Sequence, residues 1–355
     1  MSKRFHIFHQ SVLLLWMAAV LLTACSSDSP EAQTAPAGEV PVDHVVHLQT
    51  FASGYMETGS EHRAAPLGYI NYPLDKVTEM GIYMYLAEDD TRLTEKLLKY
   101  DGAKWHAYFS VVKDKTYAVY GYLPKLEGVT STLAKTVDGD DEATLTISGM
   151  KPITTDDICI ITGVKETDEG LKEGNLSWKQ VIDGDDYYIY MLLNHLYASV
   201  TFSIKVVAEY ATLRTIELKS MKLQTNSSSV SAAISLTHNT TGEVPITSVT
   251  YTPTGSSSEA VFFSDDEGEA LSATVAKEFN TCFAPTLSNN LTLVSTYDVY
   301  DRYGNLIREN CTATNKIPNL EAHRGERVHL NLTVNPSYLY VLSDPDLDNP
   351  TITVN

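Results

Sequence analysis

The stretch "EMGIYMYL", residues 79–86, shows the alternation that decides the fold class. Every second position is aliphatic or methionine, at Met80, Ile82, Met84 and Leu86, and two tyrosines lie between them. A period of two is typical of a β-strand, because successive side chains of a strand point to opposite faces of the sheet. The stretch therefore predicts a strand whose two faces are both largely apolar.

The same period recurs along most of the chain. "KTYAVYGYLP" at 115–124 and "RVHLNLTV" at 327–334 are strand-like, and Asp101-Gly102 and Tyr303-Gly304-Asn305 are typical of hairpin turns. The best helical candidate is Leu93–Leu98, for which we expect one helical turn. The sequence predicts an all-β protein, and its 355 residues favour two β-sandwich lobes with a boundary near residues 193–195.

The N-terminus is typical of an exported lipoprotein. Lys3 and Arg4 precede an apolar run from Val12 to Leu22, which is well short of the roughly 20 residues that a spanning helix requires. Leu22-Thr23-Ala24-Cys25 fits a bacterial lipobox, in which small residues admit the peptidase and the thiol takes the lipid. We expect residues 1–24 to be the signal peptide, Cys25 to be lipidated, and residues 25–43 to form a tether. The alternative is an ordinary secretory signal that contains a cysteine.

The charge balance excludes a basic nucleic-acid surface. The chain carries a formal net charge of −19, and loss of residues 1–24, which contain Lys3 and Arg4 as their only Lys, Arg, Asp or Glu residues, would take it to −21. Hydrophobic residues make up 43% of the chain, which is enough to bury a core.

No catalytic or metal-binding motif stands out in the sequence. The histidines are scattered without HExxH spacing, there is no GxSxG or CxxC, and we expect no enzyme activity, no cofactor and no metal site. Acidic stretches at 138–143, 183–186 and 344–349 favour solvated turns over calcium loops. A disulfide between Cys282 and Cys311 is one option, and three free, buried thiols including Cys159 are the favoured one.

The order of these features resembles a fimbrillin, one of the lipoprotein-derived subunits of type V pili. The resemblance rests on the lipobox, an isolated early strand, a loop with an arginine, the strands "YAVYGYLP" and "NHLYASVTFSI", and the tail "VHLNLTVNPSYLYV". The resemblance covers nearly the whole chain, from Cys25 to Asn355. Apart from the lipobox, it rests on the order of these features and on their general residue pattern more than on any fixed motif. It implies transthyretin-like sandwich lobes, at 64–193 and 194–355, after a removable segment at 44–63.

The resemblance also implies a mechanism of assembly. A trypsin-like protease would cut between Arg63 and Ala64 and release the lipid together with the first strand, Val45 to Met56. The apolar residues of that strand are Val45, Val46, Leu48 and Phe51. A strand from another subunit, usually its C-terminal segment, would fill the groove. In this chain the matching donor is Tyr338–Val354, with Leu339, Val341, Ile352 and Val354 as its apolar residues.

Three functions remain open from the sequence. The first is a structural subunit of a cell-surface fimbrium, as stalk, accessory or tip, whose partners are other subunits, the protease, the lipoprotein export machinery and a host or bacterial surface ligand. The second is a binding module for glycan or protein that keeps its lipid and stays on the outer membrane. The third is a hydrolase with dispersed carboxylates, which no spacing favours.

Overall fold

A computed structural model describes residues 43–57, 70–71, 74, 77, 81–87, 93–135, 142–182, 184–288, 290–318, 320–337 and 346–354. Strands dominate these residues, and the prediction of an all-β protein is confirmed. The helical elements within these ranges include a four-residue α1 at Ala208–Ala211 and a 3-10 turn at Pro285–Leu287. Within the described ranges, no helix has the length and apolar character needed to cross a membrane.

The largest sheet has nine strands and comes from the first part of the chain. Its strands are β1 (His44–Ala52), β3 (Ile70–Asn71), β4 (Ile82–Ala87), β5 (Leu93–Tyr100), β6 (Trp105–Ala107), β7 (Thr116–Leu123), β11 (Cys159–Lys165), β12 (Ser177–Lys179) and β13 (Tyr187–His195). The order β11-β13-β1-β6-β5-β4-β7 closes on itself, because β11 also pairs with β7. We call these seven strands the ring; β12 pairs with β7 and β3 with β1 outside that path.

Three further sheets complete the fold. One of them, which we call the edge sheet, consists of β2 (Met56–Glu57), β10 (Ile153–Thr154), β14 (Ala198–Val206), β19 (Lys277–Phe283), β22 (Glu326–Ser337) and β23 (Asp346–Val354). Its strand order is β10-β19-β14-β22-β2, and β23 pairs with β22. One four-stranded sheet contains β8 (Thr130–Lys135), β9 (Glu142–Met150), β16 (Ser229–Thr237) and β17 (Ile246–Thr254). The other contains β15 (Arg214–Thr225), β18 (Ser258–Ala270), β20 (Leu291–Asp301) and β21 (Leu306–Ile317).

The alternation in "EMGIYMYL" has a direct structural meaning. Ile82 and Leu86 on β4 belong to the apolar core enclosed by the ring, whereas Tyr83 and Tyr85 on its other face belong to a second core shared with the other sheets. The strand β7 divides its side chains in the same way, with Val119 toward the first core and Tyr120 toward the second. We call the first of these the ring core.

The chain leaves the ring where the sequence predicted a lobe boundary. His195 is the last residue of β13, and the next strand, β14, is the central strand of the edge sheet. The hairpin of β8 and β9, from the first half of the chain, pairs with β16 from the second half. The division into lobes at 64–193 and 194–355 stays a prediction.

Two local expectations differ from the structure. Leu93–Leu98 belongs to strand β5 instead of forming a helical turn, because all six residues pair with β4 and Leu98 also pairs with β6. The hairpin at Asp101-Gly102 is present, and its loop has four residues. The backbone N–H groups of Ala103 and Lys104 both donate to Asp101 Oδ1, which stabilises this loop. Gly102 has φ of 100°, which explains the glycine.

The three cysteines of the described residues form no disulfide with one another. Cys159 and Cys282 are buried, and Cys311 is partly buried. Of the two options that the sequence left open, the disulfide between Cys282 and Cys311 is absent from the structure.

Candidate functional site: the first strand and its groove

Strand β1 is one of the seven strands of the ring and has partners along both of its edges. Its residues Val46–Ala52 pair in parallel with Tyr187–Leu193 of β13. On the opposite edge, His44–Val46 pair with β6 and Phe51–Ala52 pair with β3. The first strand is therefore held more extensively by β13 than by its other neighbours.

The side chains of β1 follow the alternation of a strand. Val46 and Ala52, 4% and 3% exposed, belong to the ring core, and Leu48 packs against it. Val45 and Phe51 point to the other face and are half-buried. The four apolar residues predicted from the sequence therefore lie on two faces of the strand. Val46 and Leu48 face the ring core and the other two face away from it, because side chains alternate along a strand.

Two histidines of β1 stack on tyrosines of β13. The His44 ring lies 4.4 Å from that of Tyr187, and its Nδ1 donates to the Asp185 carbonyl oxygen at 2.7 Å. The His47 ring lies 4.5 Å from that of Tyr188, and its Nε2 is 2.9 Å from Asp186 Oδ2. These hydrogen bonds and stacked rings hold β1 on β13 in addition to the apolar contacts.

A third histidine connects the start of β1 to the neighbouring hairpin. His106 on β6 places Nδ1 2.9 Å from Asp43 Oδ1 and Nε2 3.0 Å from Asp101 Oδ2. The hydrogen bond to Asp43, supported by the one to Asp101, raises the pKa of His106 above its ordinary value despite a smaller opposing effect of burial.

Closure of the ring determines what would remain without β1. An open sheet that loses a central strand is divided into two pieces. Here β13 stays connected through β11, β7, β4 and β5 to β6, because β11 pairs with both β13 and β7. The other six strands of the ring would form one continuous sheet with a gap of one strand, about 9–10 Å from β13 to β6, and β3 would lose its pairing with β1.

The residues after β1 do not continue the strand to Met56 as the sequence suggested. The chain instead crosses to the edge sheet, where Met56 N donates to the Gly325 carbonyl oxygen at 2.8 Å and β2 pairs in parallel with Glu326 and Arg327 of β22. We call residues 53–57 the crossing segment. It carries the end of β1 from the ring to the edge sheet.

A buried polar cluster lies under the crossing segment. His195 Nε2 donates to the Ser53 carbonyl oxygen at 2.7 Å, and His195 Nδ1 lies 2.8 Å from Asp157 Oδ1 and 3.6 Å from Cys159 Sγ. Tyr55 stacks on the His195 ring at 3.8 Å and donates its hydroxyl proton to Asp157 Oδ1 at 2.8 Å. Burial, reinforced by nearby Cys282, raises the pKa of Tyr55 well above its ordinary value, so the phenol remains a donor.

The sequence analysis missed this cluster. Asp157 and Cys159 are two residues apart, and the register of β11 with β13 places Cys159 directly opposite His195. An alternating D-x-C was visible in the sequence, but the partner 36 residues away depends on strand pairing, which no local pattern predicts.

The last strand, β23, pairs with β22 alone in the edge sheet. Leu332 and Val334 face Val354 and Ile352 across this pairing. Ile352 is 4% exposed, and Val354 packs against the second core. Tyr297 donates its hydroxyl proton to the Pro350 carbonyl oxygen at 2.9 Å, so the candidate donor strand is docked in its own chain.

The remaining predicted site residues lie outside the described residues. These are the lipidation residue, the cleavage pair and the first two residues of the donor set: Cys25, Arg63, Ala64, Leu339 and Val341. Their roles stay predictions.

Comparison with known proteins identifies structural neighbours only. No protein-family model matches the chain, and no curated protein matches it. Among solved structures, it is similar to a fimbrial protein from Bacteroides vulgatus, with 13% identity over 86% of this chain and 98% of the other and a TM-score of 0.36. A candidate cell adhesion protein from Bacteroides fragilis shares 11% identity over 88% and 97%, with a TM-score of 0.38.

A third neighbour is the fimbrial anchor protein Mfa2 from Porphyromonas gingivalis. It shares 15% identity over 87% of this chain and 97% of its own, with a TM-score of 0.26. All three TM-scores are below 0.5, so these similarities carry no argument about the function of this chain.

Proposed function

We propose that the protein is a structural subunit of a cell-surface fimbrium or adhesive fibre, in which β1 is removed and replaced by a strand from another subunit. The observation that supports this most directly is the closure of the ring through β11 and β7. The closed path lets the ring lose β1 and keep its other six strands connected.

The groove left by β1 would bind a strand by ordinary sheet physics. Seven residues of β13 would lose their partners on β1, and so would the residues of β6 and β3 that pair with it. The ring core would be exposed beside them. Each fully buried aliphatic side chain of an incoming strand contributes about 1.5–3 kcal/mol, and each new backbone hydrogen bond contributes about 1 kcal/mol net. Ordering the strand offsets part of this gain, at about 1–2 kcal/mol per residue.

The trigger would be a cut by a trypsin-like protease after Arg63. Such a cut lies on the C-terminal side of both β1 and the crossing segment, so the lipid on Cys25 and residues 44–57 would leave together. Head-to-tail filling of the groove does not close on itself and therefore gives a filament. The protein would first be an exported outer-membrane lipoprotein and then part of the cell surface.

The chain is better suited to accept a strand than to donate one. Donation of β23 requires it to leave β22 and to expose Ile352. An accepting subunit with a retained last strand would occupy a terminal position, whereas release of β23 would make it a stalk or accessory subunit.

The test is assembly after a controlled cut. The purified folded chain is treated with trypsin under native conditions, and the expected product begins at Ala64, takes up a fluorescent peptide of residues 44–57 and, at high concentration, forms ladders that resist mild denaturant. Arg63→Ala is the control and should give neither uptake nor ladders.

Two results would contradict the proposal. One is a cut chain that stays monomeric by gel filtration and binds no more peptide than an uncut chain. The other is mass spectrometry of cell-derived protein showing that every copy keeps residue 25 with its acyl chains, which would favour the permanently anchored binding module.

A further inference from the structure

The cluster under the crossing segment has the composition of a metal site. Among the described residues, Asp157, Cys159 and His195 bring a carboxylate oxygen, a thiol sulfur and an imidazole nitrogen within 4.8 Å of one another. Cys159 is fully buried and His195 is 4% exposed. These three groups are common ligands of zinc and similar divalent transition metals.

The two donor distances that involve His195 Nδ1 are close to those around a tetrahedral ion. Ligand bonds of about 2.0–2.3 Å at tetrahedral angles separate donor atoms by about 3.3–3.7 Å. His195 Nδ1 and Cys159 Sγ are already 3.6 Å apart. His195 Nδ1 and Asp157 Oδ1 are 2.8 Å apart, so the carboxylate must turn outward by roughly half an ångström to admit the ion.

The surroundings provide the contacts that metal ligands usually have. A histidine that binds metal through one ring nitrogen normally donates the other N–H to a carbonyl or carboxylate, as His195 Nε2 does to the Ser53 carbonyl oxygen at 2.7 Å. Tyr55 donates to Asp157 at 2.8 Å and thereby orients the carboxylate. One thiolate and one carboxylate would balance the two charges of the ion in this buried place.

We propose that Asp157 Oδ1, Cys159 Sγ and His195 Nδ1 bind one zinc-type divalent ion. Water reaches the fourth position beside Asp157, whose side chain is 18% exposed. Binding releases the thiol proton of Cys159, with any proton shared by His195 Nδ1 and Asp157, to solvent, and it forms three coordinate bonds to the protein without any redox change.

The ion would also fix the end of the removable strand. Ser53 and Tyr55 both belong to the crossing segment, and both contact ligands of the ion. This consequence rests on the proposed function: a bound ion favours the docked precursor, and loss of the ion makes replacement of β1 easier.

The first experiment measures binding independently of assembly. The full chain is stripped with a chelator and titrated with Co²⁺, then with Zn²⁺. We expect one Co²⁺ per chain, a thiolate-to-cobalt absorption band, and displacement by one equivalent of Zn²⁺. Tyr55→Phe should weaken binding about 10–100-fold, as changes around metal ligands do.

Matched variants identify the ligands. Cys159→Ser should abolish the thiolate band, and Cys311→Ser, which also removes one thiol, should leave it unchanged. Asp157→Asn keeps the side-chain shape at a partly exposed position and should weaken binding even if Cys159→Ser fails to fold. No band in the unmodified chain, or equal loss in both cysteine variants, would overturn the site.

Hydrogen exchange then tests the effect on β1. Zn²⁺ should slow exchange of residues 44–57 in the unmodified chain and slow it less in Asp157→Asn at the same Zn²⁺ concentration. Binding without this protection would overturn the link to the strand, and the cobalt spectrum would still report the site if the chain forms no fibres.

Discussion

The first and last described strands, β1 and β23, are held in different ways. β1 lies within a closed sheet and has partners on both edges, whereas β23 pairs with β22 alone in the edge sheet. Both strands nevertheless bury apolar side chains, Val46 in one and Ile352 in the other, each 4% exposed.

The difference shows that the ease of losing a strand and the quality of the groove it leaves are separate properties. An edge strand leaves without disturbing its sheet, but it leaves only one row of unpaired groups. An internal strand leaves two rows and an exposed core, which together define a specific site for one strand. Closure of the ring allows β1 to combine an internal position with a sheet that stays connected.

The largest effect is expected from a charge on the inner face of β1. Val46→Asp places a carboxylate without a partner in the ring core, and we expect the free energy of unfolding to fall by about 3–5 kcal/mol. Gln49→Asp, on the same strand but exposed, should change it by no more than about 0.5 kcal/mol. Urea denaturation of both variants measures the difference.

This pair of variants also tests the groove. A peptide of residues 44–57 carrying Val46→Asp should fail to enter the cut chain, and one carrying Gln49→Asp should enter it. Equal entry of the two peptides would show that the ring core does not select the incoming strand. Val46→Thr, which adds a hydroxyl without much change of volume, provides a milder replacement if Val46→Asp does not fold.

A smaller effect is expected at the last strand. Ile352→Ala should lower the free energy of unfolding by about 2–5 kcal/mol because a buried side chain leaves a cavity. Thr351→Ala, at the exposed neighbouring position, should cost no more than about 0.5 kcal/mol. If thermal and urea denaturation show no cost for Ile352→Ala, then β23 is undocked in solution and available as a donor.

The smallest effect concerns pH at the start of β1. The pKa of His106 is raised in the folded chain by Asp43 and Asp101, so its contribution to stability is complete below the unfolded value of about 6.5 and is lost as pH rises through the folded value. The backbone N–H groups of Lys104 and Ala103 lower the pKa of Asp101, which keeps this partner ionised throughout that window.

The measurement is hydrogen exchange at His44–Val46 between about pH 6 and pH 8, corrected for intrinsic rates. Protection should fall as pH rises, and His106→Gln should remove that dependence. A pH dependence that persists in His106→Gln would show that His106 is not its source.

Much of the fold was accessible from alternation alone. The pattern in residues 79–86 predicted a strand with two apolar faces, and the structure assigns those faces to two cores. The pattern did not predict strand β5 at Leu93–Leu98, where pairing of all six residues with β4, and of Leu98 with β6, overrides a weak local preference for helix.

The candidate site was accessible only in part. The early strand and its inward residues Val46 and Leu48 follow from period two, but its end at Ala52 does not. The turn into the crossing segment depends on contacts with β22 and His195, which are more than 100 residues further along the chain.

The sequence by itself determined the all-β class, the apolar faces of strands such as β4 and the order of the N-terminal features, because these depend on neighbouring residues and on the two-residue period of a strand. Only the tertiary structure decided that β1 lies inside a closed ring and that Asp157, Cys159 and His195 meet beneath its end. Both depend on which strands pair and in what register, and that choice is made by long-range packing against a shared core.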